Sequence, residues 1–123
     1  RVQFGEPIGR KQLVQKHLAD IETRIVSSRL MCYYALSRID DGLDAGASSA
    51  MAKRYATAAC AEAIDMAMRV HGGMGIACES GLEALYRDAR MLMVPDGTQE
   101  ILTLIQGRGL TGMDALRPSH ALS

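Results

Sequence analysis

Apolar positions recur along this chain at helical spacing, in two long stretches free of proline. Leu13, His17, Leu18, Ile21, Ile25, Cys32, Leu36 and Ile39 form one such series, which predicts a helix over residues 8–41 with a single apolar stripe. Lys11, Lys16, Asp20, Glu22 and Arg29 fall mostly off that stripe, and "DDGLDAG" breaks the helix. A second helix is predicted over 47–71, crowded with alanine at 50, 52, 56, 58, 59, 61, 63 and 67. Alanine has the best helix propensity, and small side chains let helices approach closely. Gly72 and Gly73 stop it, as glycines after a helix end usually do. Shorter helices are expected over 81–93 and 97–106. No alternating strand pattern of useful length occurs. The fold class is therefore all-α, an antiparallel (up-down) four-helix bundle over residues 1–110, with a loose tail at 111–123.

Composition narrows the function. With 123 residues, the chain makes one domain with one core. Fourteen basic and fourteen acidic residues cancel, so no global charge draws it to nucleic acid or an anionic membrane. No apolar run reaches membrane-spanning length. Cys32, Cys60 and Cys78 are odd in number and not at metal-binding spacing, so no metal is expected. Buried reduced thiols in a cytoplasmic setting are the simplest reading. The methionines at 51, 66, 68, 91 and 93 sit at helical spacing and read as core filler. The opening "RVQFG" without an initiator methionine suggests a segment of a longer protein.

Three motifs could carry chemistry. "HGGMGI" follows a helix rather than a strand, so it is not a dinucleotide loop. Read alone it is a helix stop, although paired glycines also admit close backbone approach to a ligand. His71 before it suits a helix C-terminus and is not read as catalytic. "YRDAR" reads as a solvated or salt-bridged face. "PDGT" (residues 95–98) is a turn in which Asp96 is either a turn residue or a placed base. Thr98 there is a candidate cap for the last helix.

These fragments also occur in one order. Arg1-x-x-Phe4-Gly5 with Gln12 and Gln15, then "AMAKRYA", "VHGGMGI", "YRDAR" and "DGTQEI" resemble the C-terminal helical domain of the acyl-CoA dehydrogenase family, from Arg1 to about Arg108. The resemblance implies a FAD enzyme that removes the α and β hydrogens of an acyl-CoA thioester. It also implies a homodimer or homotetramer, with electron-transfer flavoprotein or another acceptor as partner. The family has an N-terminal helical domain and a middle β-domain besides this bundle, so the bundle alone is expected to be inactive.

By the same resemblance, Asp96 is the catalytic base that takes the α-proton while a hydride leaves for flavin N5. Relatives usually hold glutamate at this position; aspartate draws the carboxylate back by about one C–C bond, ~1.5 Å. A branch with nitroalkane oxidase activity does use aspartate as its base. Arg1, Phe4, Gln12, Arg69, Gly72 and Gly73 match positions at the pyrophosphate and adenine half of FAD, Arg1 and Phe4 reaching it from a neighbouring subunit. Arg69 stands where relatives often have glutamine. Thr98 and Glu100 match FAD contacts from the subunit that carries the base. Arg108 matches an arginine near the substrate. Two other readings stand beside this one: a non-catalytic helical oligomerisation module, and a flavin oxidase or hydroxylase of the same fold.

Overall fold

Where alanine is densest the chain forms its central helix, and the other helices lie against it. A computed structural model describes residues 1–116; residues 117–123, most of the expected tail, lie outside the described residues. The helices are α1 (Gln12–Asp40), α2 (Gly46–His71), α3 (Leu82–Met91) and α4 (Gln99–Thr111). α1, α3 and α4 all pack on α2. Pairings between distant residues give the direction of two of them. Arg24 of α1 binds Glu62 at 2.8 Å while Arg1, before α1, reaches His71, so α1 runs antiparallel to α2. Gln99 of α4 binds Thr57, and Gln106 binds Arg54, each at 2.9 Å, so α4 is antiparallel to α2 as well.

The core is built of small side chains. Ala35, Ala50, Ala52, Ala59, Ala63, Ala89 and Leu102 are its buried apolar residues, which is the close approach that an alanine-rich helix permits. Gly109 takes this furthest: a methyl group there would sit 2.5 Å from the Ala47 Cβ. Among the described residues no large side chain is completely buried.

The apolar stripe of α1 lies differently from the expected one. The covered positions Val14, His17, Ile21, Arg24, Ser28, Met31, Ala35 and Arg38 alternate steps of three and four, a seam of the coiled-coil type. Leu18, Ile25, Cys32 and Ile39 each follow a seam position by one residue, about 100° round the helix. They are exposed, as are Leu13 and Leu36. α1 packs mainly on α2, and one neighbour can cover only one face. The same geometry corrects the reading of the thiols. Cys32, Cys60 and Cys78 are all exposed and free, because apolar sequence neighbours do not guarantee a covering helix. Met91 is likewise half exposed rather than core.

Boundaries shift at both ends. Before α1 a hairpin pairs Val2–Gln3 with Glu6–Pro7, and a 3-10 turn spans Ile8–Arg10, so the first helix starts at Gln12. Two-residue strands are too short to leave an alternating pattern. Phe4 and Gly5, at φ 54° and 78°, have the two positive values of a type I′ hairpin turn. At the other end α4 continues past 106 to Thr111 and stops at Gly112, which adopts φ 70°.

Candidate functional site

The C-terminus of α2 is the first half of the site. α2 stops at Gly72, whose φ of 61° and ψ of −139° lie in a region open almost only to glycine. The chain then turns tightly through Gly72–Gly75. Gly75 is the buried member. A methyl group on it would stand 2.4 Å from the Met68 carbonyl oxygen and 2.8 Å from its Cα. Backbone therefore rests directly on backbone there, and this pins the turn against the last coils of α2. Gly73 is the open member: among the described residues nothing lies within 4 Å of the space a side chain would take.

Cations gather over this end. The Arg1 guanidinium donates to the His71 carbonyl at 3.2 Å and lies 3.2 Å from a methyl built on Gly72. Carbonyls left free at a helix C-terminus favour such a cation. His71 also holds the Ala67 carbonyl through Nδ1 at 2.8 Å. Arg1, Phe4, Lys11, His17, Arg69 and Gly72 border one depression of about 480 Å³. Arg69 is paired with Asp65 at 2.8 Å and Lys11 with Glu6, yet both remain part-exposed. Phe4 is 92% exposed at the hairpin tip. Gln12 is exposed in the first turn of α1 and does not border the depression. Bidentate cations, an aromatic face and backbone free of side chains suit a ligand with a pyrophosphate and a flat base, so these residues fit a nucleotide cofactor.

The second half is the turn between α3 and α4. Asp96 adopts φ 57° and Gly97 φ 102°. Aspartate tolerates the left-handed region better than most residues, at a cost of about 1–2 kcal/mol. Phe4 and Asp96 are the two non-glycine residues with positive φ among the described residues, and both are candidate site residues. Strain of this kind concentrates at functional sites. Leu102 packs beneath the turn, 3.4 Å from the side-chain position of Gly97. Thr98 caps α4 through Ile101 at 3.5 Å. Glu100 in the first turn has its carboxyl held below the usual range by its own backbone N–H and by the Thr98 hydroxyl. The apolar approach to Asp96 is not shielded in this chain: Met91, Leu92, Val94 and Asp96 are all exposed.

The halves are separate. Lys53, which touches the Asp96 turn, and His71 are 18 residues apart on α2, about 27 Å at helical rise. Arg108 lies ten residues along α4 from Thr98, about 15 Å, and is bonded to Asp114 at 3.4 Å. It is not brought to Asp96. "YRDAR" forms the salt-bridged face expected of it, with Arg87 on Glu83 at 2.8 Å.

Sequence reasoning missed three residues here. Lys53 donates to the Pro95 carbonyl next to Asp96, Thr57 receives Gln99 of α4, and Gly75 seats the glycine turn. The four-residue step from Lys53 in "AMAKRYA" to Thr57 just after it is the available signal, since it puts both on one face of α2.

Comparison with known proteins converges on one family. Residues 1–111 match the family model described as acyl-CoA dehydrogenase, C-terminal domain. An acyl-CoA dehydrogenase of Bacillus subtilis (strain 168) is 38% identical over 112 residues, which is 91% of this chain and 30% of that protein. Butyryl-CoA dehydrogenase from Megasphaera elsdenii superimposes with a TM-score of 0.87 at 30% identity, over 89% of this chain and 29% of its own. A structure of PigA with FAD and proline gives 0.87 at 32%, with the same coverage. The chain thus spans about 30% of the length of these relatives. Among the described residues no helix is long and apolar enough to cross a membrane. With the motifs, the all-α fold and the match over residues 1–111 in agreement, the chain belongs to the acyl-CoA dehydrogenase family, of which it carries the C-terminal domain.

Proposed function

We propose that this domain serves a FAD-dependent enzyme that oxidises an acyl-CoA thioester across its α and β carbons, with Asp96 as the α-proton base. The observation that carries the reading is the Asp96 turn. A carboxylate stands there in a strained backbone conformation, ahead of the N-terminus of α4, where negative charge is favoured.

Bound FAD would supply the hydride acceptor for the β-hydrogen. Arg1, Arg69, Gly72 and Gly73 would hold its nucleotide half, with Phe4 and Gln12 beside it, and Thr98 and Glu100 would face a flavin at the other half-site. Asp96 would take the α-proton, a transfer that requires it to lie within hydrogen-bond reach of the substrate. Its backbone N–H, without a partner among the described residues, is free to donate to the thioester carbonyl. Arg108 is the proposed substrate-side arginine.

Two half-sites about 27 Å apart on one helix favour a flavin shared between copies, so we propose a homodimer or homotetramer. The exposed face of α1 and the open approach to Asp96 would then be covered by the rest of the enzyme, and the domain alone would be inactive. Electron-transfer flavoprotein, or another acceptor, would reoxidise the flavin. Proline in the related PigA structure favours a second reading, a non-CoA substrate on the same base.

The test is Asp96→Asn in the full-length protein, followed by anaerobic flavin bleaching with acyl-CoA. We expect bleaching to slow by at least about a hundredfold; undiminished bleaching would remove Asp96 from the role of base.

A further inference from the structure

We propose that Lys53 is the positioning residue for Asp96. The inference rests on the reading of Asp96 as the base.

A left-handed aspartate persists only where its surroundings hold it. The turn has few such holds. Before it, Val94 N–H bonds to the Met91 carbonyl at 3.0 Å. After it, the Thr98 cap on Ile101 is long, at 3.5 Å. Asp96 itself makes no hydrogen bond among the described residues. Among the described residues, the single side chain bonded to the turn's own peptide is Lys53, whose ammonium donates to the Pro95 carbonyl. Lys53 is part-buried on α2, the helix on which the others pack, so its stem starts from a rigid base.

The chosen oxygen matters. Pro95 C=O and Asp96 N–H belong to one planar trans peptide, so they point in opposite directions. Fixing the carbonyl toward α2 aims the N–H away from α2. A cation on that oxygen also polarises the peptide and strengthens the N–H as a donor. Lys53 therefore acts on both groups that Asp96 offers: it fixes the backbone angle that sets the carboxylate, and it orients the amide beside it. The bond from Gln99 to Thr57, one helical turn on along α2, ties the start of α4 to the same face. It cannot replace Lys53, because it lies beyond Gly97, where the backbone is free to swivel.

The test uses the full-length enzyme with Lys53→Met, which keeps the apolar stem, and Lys53→Arg, which restores a cationic donor. Hydrogen exchange over residues 93–102, which include the bonded amides on both sides of the turn, thermal midpoint, and kcat and KM are measured on each. We expect Lys53→Met to raise exchange in that segment and to lower kcat by about ten- to a hundredfold, the scale of a displacement near 1 Å. KM should move far less than kcat, since the base and the amide's bond to the thioester carbonyl act mostly in the transition state. Lys53→Arg should recover most of the rate. On an Asp96→Asn background, Lys53→Met should cost clearly less than on the parent, because the part that acts through the carboxylate is already removed and only the orienting of the amide is left. Unchanged exchange and rate in Lys53→Met would overturn the proposal, as would an equal rate loss on both backgrounds. An active Asp96→Asn enzyme would instead sink the reading of the base, while the exchange measurement still reports on the clamp.

Discussion

Replacing Gly73 and Gly75 one at a time by alanine separates what the glycine turn does for the fold from what it does for a ligand. At Gly75 a methyl group would meet the Met68 carbonyl oxygen at 2.4 Å, its Cα at 2.8 Å and its carbonyl carbon at 2.9 Å. All three are backbone atoms of α2, so no rotamer change relieves them. Restoring ordinary contact requires the turn to lift by about 1 Å, and overpacking of this kind costs about 1–3 kcal/mol. At Gly73 nothing lies within 4 Å and φ is not in the left-handed region. Alanine fits there, and the loss of unfolded-state freedom should add about 0.4–1 kcal/mol of stability.

FAD affinity then divides the two roles. If the Gly73 backbone meets the nucleotide, the added methyl occupies ligand space, and affinity should fall by at least about tenfold, or 1.4 kcal/mol. The assay is fluorescence titration of the full-length apoprotein with FAD, alongside denaturant unfolding of both variants. Gly73→Ala should unfold no earlier than the parent yet bind FAD poorly, whereas Gly75→Ala should unfold earlier. A Gly73→Ala protein that binds FAD within about twofold of the parent would refute the contact. A Gly75→Ala protein of unaltered stability would refute the packing reasoning.

Other outcomes follow from the same geometry. Gly109→Ala should push α4 from α2 and cost about 1–3 kcal/mol, read by thermal unfolding; adding Ala47→Gly should return part of the loss, since the two Cβ positions are the ones that collide. Leu102→Ala removes the one large buried apolar side chain among the described residues and should cost about 2–5 kcal/mol, with raised hydrogen exchange at the Asp96 turn above it. Glu100 has a depressed folded-state pKa, so its contribution is present above the ordinary glutamate range and lost as pH falls through the depressed value. Exchange protection in the first turn of α4 should therefore drop in acid, and Glu100→Gln should flatten that dependence.

The helices were legible because their signals are local: alanine density for α2, the glycine stop after 71, and Thr98 ahead of α4. The end of α4 was not, since the helix expected to close at 106 runs on to Thr111. Nor was the face of α1. Its richest apolar row, Leu18, Ile25, Cys32 and Ile39, outscores the true seam, which includes His17, Arg24, Ser28 and Arg38. Hydropathy ranks a face by what it would gain from cover, while the fold decides by which neighbour is present. Polar seam residues survive because their tips escape: Arg24 reaches Glu62 at 2.7 Å, and Arg38 reaches the Asp44 carbonyl at 2.9 Å. Of the candidate site positions, Arg1, Phe4, Arg69 and Gly72 share one depression, and each could be named in advance because it is a residue type and not a backbone contact. The supports of the Asp96 turn could not, since a carbonyl such as that of Pro95 leaves no mark in the sequence.

α2 gives the domain its logic. One rigid helix holds a cation-lined glycine turn at its end and, through Lys53 and Thr57, a strained aspartate turn nearer its start. A separation of about 27 Å sets the two apart within the chain, and on the proposed reading one flavin would draw on two copies. This makes the spacing itself a functional quantity. A kink in α2 between Lys53 and Arg69 would leave each half-site intact and alter only their relation. Ala61→Pro, placed between them, removes an i→i−4 bond and clashes with the preceding turn. It should weaken FAD binding and assembly together, and a variant that lost assembly while holding FAD with parental affinity would contradict a shared site.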